Sequence, residues 1–203
     1  MIVERLIARA RYDTDPGMIA PSLAAAPTVI EALVGVAACY GERYAVQTRG
    51  VAPAFFDVTD LMRGAVLRSG ILHGQMLAAT AHTTCALIVQ ENEPLLLGDL
   101  ADRLCRFASI DEAYRHNEMD RRIVNVCGPE ECANGHSHCQ HALLGASVGL
   151  PVRERDIVLG RWQRLLLVEL DHPRPRELTV QVMGVVPRDT RIDDKRGGHH
   201  GRE

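Results

Sequence analysis

Apolar and polar positions divide the chain into three stretches. Residues 1–41 are Ala-rich and broken by Pro16, Gly17, Pro21 and Pro27. Their pattern predicts one short helix around Val29–Tyr40 with loose chain before it. The middle stretch, 42–186, alternates apolar runs with turn residues. Tyr44–Arg49, Phe55–Asp60, Leu72–Thr80, Thr84–Gln90, Ile157–Glu169 and Leu178–Val186 have the β-branched or alternating character of strands. Helical spacing follows Thr59 or Asp60, either of which can cap a helix through Leu67, and Ser69-Gly70 ends it. A second helix spans Leu95–Ala108, with Pro94 in its first turn. Asn134 can cap a third through Leu144, with Gly145 past its end. Strands outnumber helices and connections are short, which predicts an α+β domain with a mostly antiparallel sheet. From Pro187 onward almost no apolar residue remains, so residues 187–203 are expected to be disordered.

Composition narrows the classes. The chain has 203 residues, and aromatics make up 4%, so aliphatic side chains must fill the core. A net charge of −3 gives no electrostatic reason to expect nucleic acid or a membrane as partner. The run Val29–Ala38 is too short to span a bilayer, and Glu31 spoils it as a signal core. Six cysteines without a secretory signal are expected to be cytoplasmic thiols or metal ligands.

His82 lies between two apolar strands and is either a half-buried turn residue or an acid/base or ligand presented at a strand end. Glu91 leaves the following strand and is the better acidic candidate, because Glu93 suits a helix start through the dipole alone. His116 follows Tyr114-Arg115 in a polar loop beside Glu118 and Asp120. His136 and His138 share a face on a strand but not on a helix, where His138 instead neighbours His141. Cys127, Cys132, His136 and His138 could form a structural zinc site, although their spacing fits no common finger. There is no Walker loop and no Rossmann fingerprint.

Residues 42–184 resemble the YjbQ family, also called UPF0047. Asp57-Val58-Thr59 matches the family's Asp-Ile-Thr strand end, and His82-Thr83-Thr84 its His-Thr-Ser/Thr turn. Gln90-Glu91 stands for an Asn-Glu pair, Asp99 for a helix acid, and Tyr114 and His116 for Tyr-x-His. Asn134 through Gln140 matches a helix start, and Leu143, Gly145 and Ser147 a Leu-x-Gly-x-Ser element. Leu159-Gly160-Arg161-Trp162-Gln163 matches Leu-Gly-Thr-Trp-Gln; Glu169 and Pro173-Arg174-Pro175-Arg176 match a trailing acid and a Pro-Arg-x-Arg. The chain departs from the family where a lysine is replaced by Gln140, a threonine by Arg161, and the glycine of Asp-Gly-Pro-Arg by His172.

The resemblance implies a barrel-like mixed sheet, a homotrimer, and a pocket in which the polar motifs gather. It also implies a weak thiamine-phosphate synthase activity, joining a pyrimidine diphosphate to a thiazole phosphate. Under it, His82, Glu91 and Gln163 are the catalytic candidates. His82, His116 and His138, with Glu91 nearby, can hold a zinc-like divalent ion. Asn134, Ser147, Trp162, Arg161, Arg174 and Arg176 are the substrate-binding candidates, and the three arginines form a clamp for a phosphorylated small molecule. A non-catalytic trimer that binds a small ligand or metal, and a structural zinc protein, are the other expectations.

Overall fold

A computed structural model describes residues 35–125, 128 and 132–187. Eight strands and three α-helices alternate along them: β1 (Val36–Gln47), β2 (Ala54–Asp57), α1 (Thr59–Ser69), β3 (His73–Thr80), β4 (Cys85–Glu91), α2 (Pro94–Phe107), α3 (Gly135–Leu144), β5 (Ser147–Arg153), β6 (Asp156–Ile157), β7 (Gln163–Glu169) and β8 (Pro175–Val186). One sheet has the order β1-β8-β3-β5-β6 and curls into a half-barrel; the other has the order β2-β7-β4. Every pairing among the described residues is antiparallel. The α+β, barrel-like expectation holds.

The core is aliphatic. Helix α1 buries Met62, Ala65 and Val66, one face at helical spacing, and ends at Gly70 with φ 68°. In β7, Leu165, Leu166, Leu167 and Val168 are all fully buried, which explains why that segment reads as a continuous apolar run. Gly74 and Gly184 face each other where β3 and β8 touch; a Cβ on Gly74 would lie 2.0 Å from the Met183 carbonyl oxygen.

Three element expectations need correction. Val36–Tyr40 is strand, not helix: each residue pairs with β8, from Val36↔Val186 to Tyr40↔Val182, and sheet pairing overrides local helical spacing. The rest of that helix, the loose chain before it and the tail beyond Pro187 lie outside the described residues. The run Ile157–Glu169 is interrupted, because Gly160 donates to the Gln163 side chain in a turn (2.7 Å). Strand β5, with Pro151 and Gly149 inside it, escaped the sequence pattern.

Candidate active-site cleft

Strand ends and loops meet at the Cys85 end of β4 in an open cleft of about 760 Å³. Its walls are Ala81–Thr84, His116, Arg122, Asn125, Cys132, Asn134, His138, His172, Arg174 and Arg176. His82 sits in the β3–β4 connection, and its Nε2 accepts the Glu177 amide N–H (2.9 Å). That bond leaves the ring proton on Nδ1. Burial, then Arg176 and Arg174, hold the His82 pKa below the usual imidazole range.

The loop carrying His116 is bolted to α3. Asn117 Oδ1 accepts the Gly135 N–H (2.9 Å), so Asn117 caps the helix from a distance. Gly135 is required there, because a Cβ would lie 2.5 Å from the Tyr114 Cβ. Asn134 occupies the N-cap position without capping: its side chain is drawn instead to Asp171, with Nδ2 donating to Oδ2 (3.2 Å). The clamp places the His116 and His138 rings edge to face, with centroids 4.5 Å apart. Burial, then His116, depresses the His138 pKa. His136 points elsewhere, 3.1 Å from Ser137 Oγ, as helical geometry requires, and burial depresses its pKa too. His141 is bound to the Cys85 carbonyl oxygen (2.9 Å).

The floor is an ion-pair lattice. Arg176 is 1% exposed and pairs with Glu169, equally buried. Burial opposes ionisation of Glu169, but Arg176, Thr48 and the Asp171 amide outweigh it and hold the carboxyl below its ordinary range. Arg176 also donates to Thr84 Oγ1 (3.2 Å). The other arginine, Arg174, gives Nη2 to Thr84 Oγ1 (3.2 Å) and to Asp171 Oδ2. Thr48 Oγ1 donates to Glu169 Oε2 (2.7 Å) and accepts the Arg174 N–H (3.0 Å), which ties the arginine loop to this floor.

Six of the predicted residues therefore converge: His82, His116, His138, Asn134, Arg174 and Arg176. Five do not line the cleft. Glu91 pairs with Gln163 at the far end of β4, whereas Cys85 pairs with Glu169 at the cleft end. Seven strand residues separate those ends by ~20 Å. Gln163 is exposed and holds the β6–β7 turn through Gly160. Trp162 is 60% exposed, with the Arg161 guanidinium 4.6 Å above its ring. Ser147 begins β5, exposed and opposite Ala79. A long strand separates what motif spacing cannot.

The zinc and metal sets fare unevenly. Cys127 lies outside the described residues. The described residues hold no group of three or more His, Cys, Asp or Glu arranged for a metal. His82 commits Nε2 to Glu177, and Glu91 is remote, so His116 and His138 are the pair from the predicted set that remains adjacent. Gln140, where the family has lysine, is buried and donates to the Leu104 and Ala108 carbonyl oxygens (3.2 and 2.9 Å), pinning α2 to α3.

The sequence pattern did not single out Arg122, Asn125, Thr48 or Asp171. The Asp171-His172-Pro173-Arg174 segment held the signal for Asp171, since a carboxylate three residues before an arginine can bend back to it across a Pro-containing turn.

The family described as UPF0047 protein YjbQ-like matches residues 43–185. A UPF0047 protein of Methanothermobacter thermautotrophicus is 34% identical over 128 residues, covering 63% of this chain and 81% of that one. UPF0047 protein YugU of Bacillus subtilis is 28% identical over 130 residues, covering 63% and 88%. A YbjQ-like protein of unknown function from Sulfolobus solfataricus has a similar solved structure, with TM-score 0.65, 33% identity, and coverage of 73% of this chain and 99% of that one.

Proposed function

The chain belongs to the YjbQ-like UPF0047 family, and from that premise we propose that its cleft binds a small phosphorylated compound as a weak transferase of the thiamine-phosphate synthase kind. One observation carries this: the lining brings together Arg122, Arg174, Arg176 and four histidines, and among the described residues it holds no carboxylate. Such a wall favours an anion. In a transfer from a pyrimidine diphosphate to a thiazole phosphate, the carbon–oxygen bond to pyrophosphate breaks as the thiazole nitrogen bonds to that same carbon. The electron pair leaves on a pyrophosphate oxygen. Arg174 is the cation placed to take up that charge, because its side chain is 36% exposed whereas Arg176 is 1% exposed and committed to Glu169.

A zinc-like ion in this chemistry would be held by His116 and His138, where the buried His116 Nε2 has no hydrogen-bond partner. It would supply polarisation of a phosphate oxygen. Elemental analysis of untagged protein, with and without His138→Ala, tests that part. Homotrimeric assembly is supported by α2, where Leu104 is the one buried residue and Leu95 and Phe107 are 80% and 55% exposed. Light scattering on a gel-filtration peak tests it, and a clean monomer refutes it.

The main test is conversion of the two phosphorylated substrates, followed as thiamine phosphate, in the parent and in Arg174→Ala. Product from the parent and none from the variant is expected. A second reading, a non-catalytic binder of small phosphorylated ligands, is favoured by the ~20 Å that separates Glu91 from the cleft. Binding without turnover would select it.

A further inference from the structure

One carboxylate oxygen organises two walls of the cleft. Asp171 Oδ2 accepts from Asn134 Nδ2 (3.2 Å) and from Arg174 Nη2. Both side chains line the cleft. Touching the same atom, the amide and the guanidinium are neighbours, within the span of a small molecule. The amide's orientation is forced: a carboxylate only accepts, so Asn134 must turn its NH₂ to Asp171 and its oxygen away. That oxygen, Asn134 Oδ1, is buried and has no hydrogen-bond partner, and Asn134 as a whole is 9% exposed. Arg174 Nε is likewise buried without a partner. A cleft built for bare phosphate would offer donors alone. Here the two side chains that share Asp171 each keep one unsatisfied atom, an acceptor on Asn134 and a donor on Arg174, and each costs free energy until a ligand meets it.

We infer that the cleft takes an anionic ester that also carries a hydrogen-bond donor, with the anion on Arg174 and a hydroxyl or amino group read by Asn134 Oδ1. A phosphate dianion has only acceptor oxygens, so by itself it cannot satisfy Asn134 and would be repelled by it. A ligand with a neighbouring hydroxyl or amine satisfies both groups at once. Asn134 is thereby a specificity-determining residue, and Asp171 is the positioning residue that sets its polarity. This rests on the phosphorylated-ligand proposal and narrows it.

The test uses matched probes: ethyl phosphate, which has no donor on its carbon chain, 2-hydroxyethyl phosphate and 2-aminoethyl phosphate, titrated calorimetrically into the full chain. The parent should bind at least one of the donor-bearing esters about threefold to tenfold more tightly than ethyl phosphate, the worth of one hydrogen bond. Asn134→Ala should reduce that ratio to about one. Arg174→Ala should weaken all three together. If ethyl phosphate binds through Arg174 but the parent shows no donor preference, the inference fails while the phosphorylated-ligand proposal stands. If none of the three binds, both fail. The preference within the parent is decisive even if Asn134→Ala does not fold.

Discussion

Two acid–arginine pairs sit side by side in the last third of the chain and behave differently. Glu169 and Arg176 are each 1% exposed, and the carboxylate is fully engaged: Oε1 accepts from Arg176 and from the Leu170 and Asp171 amides, and Oε2 from Arg176 and Thr48. The Asp171 side chain is likewise only 6% exposed, but that of Arg174 is 36% exposed and keeps an unpartnered Nε, and Asn134, which shares Asp171 with it, keeps an unpartnered Oδ1. The same two chemistries, a few residues apart, thus give a closed lattice and an open one. A pair whose every hydrogen bond is spent can only support structure. A pair with bonds to spare can exchange them with a ligand.

The largest expected effect breaks the closed pair. Glu169→Ala strands a buried guanidinium and should cost about 3–5 kcal/mol in urea unfolding. A loss under about 1 kcal/mol would mean that Arg176 finds water, and the contrast would collapse. Next, Arg174→Ala, which leaves the Asp171 carboxylate to Asn134, should cost about 1–3 kcal/mol, less than Glu169→Ala, but weaken phosphate-ester binding about tenfold or more, since charge-assisted bonds to the ligand are lost. Equal losses of stability from the two variants would erase the distinction.

A third test uses pH. His82 and His138 have folded pKa values pushed below the usual imidazole range, chiefly by burial. Between that lowered value and the ordinary one, the unfolded chain binds more protons than the folded chain. Stability is therefore complete above the ordinary imidazole range and is lost as pH falls through it toward the folded value. The Tm should fall from about pH 7.5 to about pH 5.5, and His82→Gln should shrink that fall. An unchanged pH profile in the variant would remove His82 from the account.

The smallest effect concerns the far end of β4. Gln163→Leu removes the turn bond to Gly160 and should cost about 0.5–1.5 kcal/mol, with ligand affinity unchanged. A changed affinity would instead indicate that one subunit's Trp162–Gln163 turn completes another subunit's cleft.

Much of this fold follows from local pattern. Helix α1 with its Gly70 stop, the start of α2 at Pro94, the strands on either side of His82 and the division of His136 from His138 are consequences of residue spacing and backbone preference. Glu93 acts as the N-cap of α2, accepting the Leu95 and Leu96 N–H groups (2.9 and 2.8 Å), in keeping with the acid-at-helix-start expectation. What tertiary structure alone decided was partnership. Val36–Tyr40 became strand because β8 lay alongside. Asn134 surrendered its cap to Asn117 because Asp171, 37 residues away, claimed its amide. Arg174 and Arg176 look alike in sequence and both line the cleft, but one is 36% exposed with an unpartnered Nε and the other is 1% exposed and committed to Glu169. Composition and periodicity act over a few residues and set which groups are available. Which polar atoms end up satisfied depends on contacts between segments distant in the chain, and those exist only once the sheets have closed.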